Sequence, residues 1–217
     1  MASEAARAAR AGRLLSRGIA ALAAADTDLG AIHERFGQPP TRLRPEGFQT
    51  LFKIVVQQQV SLASGEAIWR RLETALDGGA PAAVAAADEA RLRRLGLSRQ
   101  KAAYAHALAR AALDGELDFP RLQRLDDDAA IAELTRVKGI GPWTAEIYLL
   151  TALQRPDVFP AADIALMTAA GEVKRLAARP DARALRAMAE AWRPWRAVAA
   201  RLLWHYYRHA RGREAGL

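Results

Sequence analysis

The chain has no cysteine, and that absence excludes a good deal. Disulfides, thiolate zinc sites, iron–sulfur clusters and cysteine nucleophiles are all ruled out. Lysine is scarce too: only Lys53, Lys101, Lys138 and Lys174 occur, so arginine carries most of the positive charge. Histidine is limited to His33, His106, His205 and His209. The His205/His209 pair has the i, i+4 spacing of a metal-binding helix face but no accompanying carboxylate motif, so packed or solvated histidines are expected and no metal site. No apolar run is long enough to span a bilayer, and no stretch alternates polar and apolar residues as a half-buried strand would.

Helical periodicity and basic charge are what the chain does have. Its 217 residues carry 32 Lys+Arg against 24 Asp+Glu, a net charge of +8. Such an excess favours polyanionic partners through long-range attraction and counterion release. An Ala- and Arg-rich composition produces the same number without any such partner, so charge alone does not choose. The opening segment, Met1 to Ala25, is Ala- and Arg-rich like a transit peptide, but it contains Glu4 and lacks serine enrichment. It reads as a surface helix, and the expectation is a soluble, intracellular chain, cytoplasmic or nucleoid-associated.

The periodicity predicts helices over Ser3–Ala25, Leu29–Phe36, Gly47–Gln57, Leu62–Leu76, Pro81–Ala86, Glu89–Arg94 and Arg99–Leu113. It continues with Phe119–Arg124, Asp128–Arg136, Pro142–Leu153, Ile164–Leu176, Ala182–Trp192 and Trp195–Ala210. Asp77-Gly78-Gly79 and Asp114-Gly115 punctuate the pattern, as do Pro156, Pro160, Pro180 and Pro194. Gly37-Gln38-Pro39-Pro40 cannot continue a helix, because paired prolines remove two donors and push their neighbours to extended backbone. The expected fold is all-α: a two-lobed helical bundle with an active-site cleft between the lobes. Lobe one takes about residues 1–45 plus 165–217, and lobe two about 46–164.

The most informative stretch is Val137-Lys138-Gly139-Ile140-Gly141-Pro142-Trp143-Thr144-Ala145. Two glycines one residue apart, set between helical patterns, make a tight turn. Pro142 suits the first turn of the helix that follows. Unpaired amides at a helix N-terminus, backed by the positive end of the dipole, make a phosphate site. Ile140 would fill the space between the two helices, and Lys138 is either a charge-assisted contact or an exposed turn lysine. Downstream, Phe159-Pro160-Ala161-Ala162-Asp163-Ile164 places one carboxylate where a loop becomes a helix. Spacing alone leaves Asp163 as an ordinary N-cap or as a catalytic acid, and the two roles are compatible.

This hairpin, Asp163 and the upstream Ile54-Val55-Val56-Gln57-Gln58-Gln59-Val60-Ser61 together resemble the helix-hairpin-helix DNA glycosylase superfamily. Within it the similarity is greatest to the alkylation-repair branch, DNA-3-methyladenine glycosylase II. Trp192-Arg193-Pro194-Trp195-Arg196, with Ala199 and Leu203-Trp204, fits that branch as well. The resemblance runs from about Phe48 to Tyr207. It implies a monomer acting on damaged double-stranded DNA, with no membrane association.

The resemblance makes Asp163 the catalytic carboxylate. Breaking an N-glycosidic bond develops oxocarbenium character at the sugar, and a nearby carboxylate stabilises that charge or orients water. Lys138, Gly139, Gly141 and Thr144 become the hairpin contacts to the DNA backbone. Members that also cut the strand carry a Schiff-base lysine two residues after the second hairpin glycine. Here that position is Trp143, so the amine nucleophile is missing and a monofunctional glycosylase using water is implied. Alkylated bases are cationic and suit an indole face, which makes Trp143 and Trp204, with Tyr148 third, the implied base pocket. Ile147 stands where the branch often carries an aromatic. Trp69, Trp192 and Trp195 are expected to pack between helices.

Carry-over puts Gln59 at the position that enters the space left by the extruded base. Ser61 reads as the N-cap of the next helix, and Gln57 and Gln58 either assist or satisfy buried backbone groups. No cofactor is implied beyond a monovalent cation held by hairpin carbonyls. Two alternatives stand beside this reading. One is a glycosylase for another lesion, such as uracil, hypoxanthine or an oxidised purine; the other is a non-catalytic helix-hairpin-helix DNA-binding protein.

Overall fold

The computed structural model describes residues 4–212. Ser3, the expected start of the first helix, lies outside the described residues. Among the described residues thirteen α-helices follow one another: α1 (Glu4–Ala25), α2 (Thr27–Phe36), α3 (Phe48–Gln57), α4 (Leu62–Ala75), α5 (Pro81–Ala86), α6 (Glu89–Arg94) and α7 (Arg99–Leu113). The series ends with α8 (Phe119–Leu122), α9 (Asp127–Thr135), α10 (Pro142–Thr151), α11 (Ile164–Val173), α12 (Ala182–Ala189) and α13 (Arg196–Arg211). Among the described residues there is no strand, as the missing alternation requires. No described helix is long and apolar enough to cross a membrane.

The chain divides into two compact units, one built from the stretch up to Leu43 together with that from Leu149 onward, the other from Arg44–Tyr148. The second division thus falls inside α10, at 148/149, and not at 164/165. The unit that holds α1, α2 and the chain from Leu149 therefore also holds the loop carrying Asp163.

In that unit, α1 buries Ala11, Leu15, Ile19 and Leu22, the three-and-four spacing of one helix face. It packs with α2 and α13, and α13 also packs on α11. Asp26 starts α2 by accepting the amides of Asp28 and Leu29 at 3.1 and 3.3 Å. This cap moves the helix start two residues ahead of the expected Leu29. The same carboxylate accepts Trp192 Nε1 at 2.8 Å and Lys174 Nζ at 2.6 Å. Burial opposes its charge, yet those two partners, the Leu29 amide and the Lys174 charge hold it below the ordinary aspartate value. Phe159 packs edge-on against Trp192 at 5.7 Å between ring centres.

Several helices stop earlier than their periodicity suggests, and two of them, α10 and α11, do so for one reason. After α10, Gln154 takes φ +55°, and after α11, Arg175 takes φ +51°. At α11 the Leu176 amide reaches back to Gly171 O at 2.9 Å and that of Arg175 to Glu172 O at 3.1 Å. This is a left-handed C-terminal wrap of the Schellman type, closed without its customary glycine. Lacking that glycine, the sequence hides both ends.

In the Arg44–Tyr148 unit, α3 supplies a nearly continuous core of Leu51, Phe52, Ile54, Val55 and Val56. It packs on α4 and α7, and α7 also packs on α5 and α6. Helix α7 turns Ala102, Ala105 and Ala109 inward, small residues that let its backbone come close to its neighbours. Ser61 caps α4 by accepting the Ser64 amide at 3.2 Å. Trp69 is buried against Phe52 at 5.7 Å.

Candidate DNA-binding hairpin and carboxylate site

Gly139 and Gly141 sit in the turn between α9 and α10. Gly139 takes φ +95°, and a Cβ there would stand 2.2 Å from Cγ of Tyr104 on α7. Only glycine satisfies both the backbone angle and the contact. At Gly141 a Cβ would meet no protein atom within 4 Å, so the fold itself does not demand glycine there. Ile140 is buried, as its plugging role requires, and Lys138 is exposed.

The turn is braced from behind by a residue whose role the sequence left open. Gln58 donates its side-chain amide to Gly139 O at 3.1 Å and to Thr144 Oγ1 at 2.8 Å. Lys101 of α7 in turn holds the carbonyls of Val56 and Gln58 at 2.7 and 2.6 Å, and burial lowers its ammonium from the ordinary lysine value. Gln57 also faces inward, its side-chain oxygen 3.5 Å from both terminal nitrogens of Arg44. Gln59 is different: it is exposed with φ +53°. The same left-handed angle that follows α10 at Gln154 and α11 at Arg175 here follows the end of α3.

Two of the expected contacts are corrected. Thr144 is 2% exposed and its hydroxyl faces Gln58, so its side chain braces the hairpin instead of meeting DNA. Tyr148 is fully buried, its ring 6.1 Å from that of Phe119 and its hydroxyl accepting the Gly47 amide at 2.9 Å. It is a core tyrosine with its polar end satisfied and offers no face to a base. Trp143, by contrast, is only partly buried.

Asp163 lies in the other unit, 7% exposed, as the N-cap of α11. Its Oδ1 accepts the Leu166 amide at 3.0 Å and the indole N–H of Trp204 at 3.2 Å. Capping and a placed carboxylate therefore coincide in one residue. Trp204 has no exposed surface, and the guanidinium carbon of Arg42 lies 5.6 Å from its ring centre. Its indole thus orients Asp163 with its edge while its face already meets a cation, which corrects the expected sandwiching role. Arg42 was not among the residues singled out from the sequence, and only its position over the ring reveals it. Nearby Arg201 is 5% exposed, and burial, then the charge of Arg42, push its guanidinium down to about 9. It donates to the carbonyls of Thr41 and Leu150 and to Gln154 Oε1.

The histidine pair is structural. His205 Nε2 bonds to Phe36 O at 2.9 Å, and His209 stacks on the Phe36 ring at 5.3 Å. Trp192 is buried; Trp195 is half-buried beneath Arg17, whose guanidinium carbon is 5.9 Å from the ring centre.

An all-helical chain with a glycine hairpin braced to expose its turn, and a capping carboxylate held by an indole, defines a helix-hairpin-helix protein. The sequence matches the HhH-GPD superfamily base excision DNA repair protein family over residues 52–196, and the chain belongs to that family. It is 31% identical over 186 residues to a putative DNA-3-methyladenine glycosylase of Bacillus subtilis, covering 82% of this chain and 65% of that protein. A DNA-3-methyladenine glycosylase of Schizosaccharomyces pombe is 29% identical over 165 residues, covering 74% of this chain and 72% of the relative. Among solved structures, a 3-methyladenine DNA glycosylase of the same yeast in complex with abasic DNA superposes with a TM-score of 0.82 at 25% identity, over 89% of this chain and 96% of that one. A DNA-3-methyladenine glycosidase from Bacillus halodurans gives a TM-score of 0.74 at 30% identity, over 89% and 91%.

Proposed function

We propose that this chain is a monofunctional DNA glycosylase that hydrolyses the N-glycosidic bond of alkylated purines, chiefly 3-methyladenine-type lesions, in duplex DNA. The carrying observation is the pairing of Asp163 with Trp204 at the start of α11. It holds one carboxylate oxygen in place by an amide and an indole N–H, in a chain whose relatives bear the names of such enzymes. In this reading the hairpin grips a backbone phosphate through the amides around Gly141 and the charge of Lys138. Gln59 enters the space left by the extruded base, and Trp143 receives that base. The bond between sugar carbon and ring nitrogen then lengthens, its electron pair leaving with the base. Asp163 stabilises the cationic sugar and orients the water that adds to it. An alkylated purine already carries positive charge, so it departs without a proton donor.

Trp143 supports water as the nucleophile, since no amine stands at the position where strand-cutting relatives carry lysine. Of the hairpin carbonyls, those of Val137 and Gly139 already accept N–H groups. A monomer is the oligomeric state proposed.

The test is release of methylated bases from alkylated duplex DNA by wild type and by Asp163→Asn. The expected outcome is duplex binding retained with excision reduced by about a hundredfold or more, the scale of losing one transition-state charge stabiliser. Equal excision by both proteins would remove Asp163 from the chemistry.

A further inference from the structure

Outside the hairpin, one charged concavity stands out. An open depression of about 620 Å³ is lined by Ala90, Arg93, Arg94, Leu97, Ser98 and Arg99. It forms where α6 ends and α7 begins. The Gly96 and Leu97 amides close the end of α6 onto Arg93 O and Leu92 O at 3.0 and 3.1 Å. Arg71 of α4 ties the end of α6, its Nε donating to Leu95 O at 3.0 Å. The facing acid is Glu89, 3.8 Å from Arg93 and 3.7 Å from Arg99. All three of these side chains are about half exposed or more, so the pairs are weak and screened. Arg94 has no ion-pair partner among the described residues. Three arginines around one open hollow with a single carboxylate between them leave a net positive surface that suits phosphate oxygens.

Its placement within the Arg44–Tyr148 unit matters more than its charge. Helix α7 runs from this hollow to the hairpin. Arg99 lines the hollow, Lys101 clamps the turn just before Gln59, and Tyr104 fills the space beneath Gly139. Ser98 precedes Tyr104 by six residues, about 9 Å of helix axis at 1.5 Å per residue.

We propose that the Arg93/Arg94/Arg99 hollow is a second anchor for duplex DNA, holding backbone phosphates that flank those gripped at the hairpin. The proposal rests on the DNA-binding part of the reading above. A duplex seated on the hairpin continues along α7, and the hollow meets its flanking backbone without touching any base. The contact is independent of sequence and lesion, so it lengthens residence on DNA and keeps the hairpin in register while a base is sought. Its signature is salt dependence, because each phosphate neutralised contributes about 0.9 to the slope of log affinity against log salt.

The test uses the full chain and undamaged duplex, so that base removal is not needed for a readout. R93A/R94A/R99A is expected to bind a long duplex about tenfold or more weakly at low salt, with a salt slope shallower by about 2. The single variant R94A should show a smaller change in the same direction, and R93K/R94K/R99K should recover most of it. R183A, an exposed arginine of α12, should leave the slope unchanged. On a duplex trimmed to remove the flanking phosphates, wild type and the triple variant should bind alike. An unchanged slope and affinity on the long duplex would overturn the proposal, as would an equal loss on the trimmed duplex or an equal loss from R183A. Failure of wild type to bind duplex at all would overturn it too. Absence of excision with the slope change intact would sink the glycosylase reading and leave this anchor standing.

Discussion

At Gly139 the backbone sits at φ +95° with the Tyr104 ring directly where a Cβ would go, whereas at Gly141 nothing of the protein lies within 4 Å of that position. The fold therefore requires glycine at the first position of the motif and not at the second, where the proposed reading brings a phosphate to the backbone. Gly139→Ala is expected to destabilise the chain by about 3 kcal/mol or more, from a left-handed backbone angle together with a clash against a packed ring. Gly141→Ala should leave the melting temperature within a degree or two while weakening duplex binding about tenfold, because its Cβ stands where a phosphate approaches. Thermal melts and duplex titrations on the two variants check this. A Gly141→Ala protein that binds normally would refute the phosphate role of that residue. The sequence could name both glycines but could not separate them, since the difference lies in Tyr104, far along the chain. Asp163 was legible as a capping acid. That Trp204 holds it was not, because an edge-on indole contact between residues 41 apart leaves no local pattern. Arg42 and Lys101 escaped notice for the same reason: each acts on a partner distant in sequence.

Among the elements, the junction of α2, α11 and the turn at Trp192 shows how polar groups fix helix positions inside one unit. Asp26 caps α2, receives Trp192 and pairs with Lys174, which also reaches Asp28 at 2.9 Å. Lys174 sits at the end of α11, so the helix that Asp163 starts is tied down at its other end. Burial opposes the ammonium charge, but the two aspartates raise Lys174 above its ordinary 10.5. Asp26 is held below its ordinary 3.8. The lysine contribution is present below pH 10.5 and fades as pH rises through its elevated folded value. The aspartate contribution is present above pH 3.8 and fades as pH falls through its depressed one. Lys174→Met is thus expected to lower stability by about 1.5 kcal/mol near neutrality, because Asp26 loses its cation but keeps the Trp192 N–H and two backbone amides. The gap from wild type should narrow in acid as Asp26 protonates. Denaturant unfolding across pH measures it, and a pH-independent gap would show that packing rather than charge is lost. Helix existence was legible throughout, while the ends of α10 and α11 were not, because Gln154 and Arg175 close them without glycine.

For the whole molecule, the net charge of +8 and the absence of cysteine bound what the chain can do. With Trp143 at the position where strand cleavage calls for lysine, the expected product is an intact strand bearing an abasic site. Alkylated duplex treated with the protein should run at full length on a denaturing gel and break only after hot alkali. Breaks appearing without alkali would mean that an amine elsewhere acts as nucleophile. Sequence by itself determined the all-helical class, the glycine hairpin, the capping acid and the missing lysine, because periodicity, turn chemistry and residue identity are local and need no partner. Tertiary structure decided what the local pattern cannot encode. It turned Thr144 and Tyr148 inward, made Gln58 and Lys101 the brace of the hairpin, laid Arg42 over Trp204, and gathered Arg93, Arg94 and Arg99 around one hollow. Each of these depends on which side chains the packing of separate helices brings within a hydrogen bond or a ring's width, and that is a property of the folded chain rather than of any segment in it.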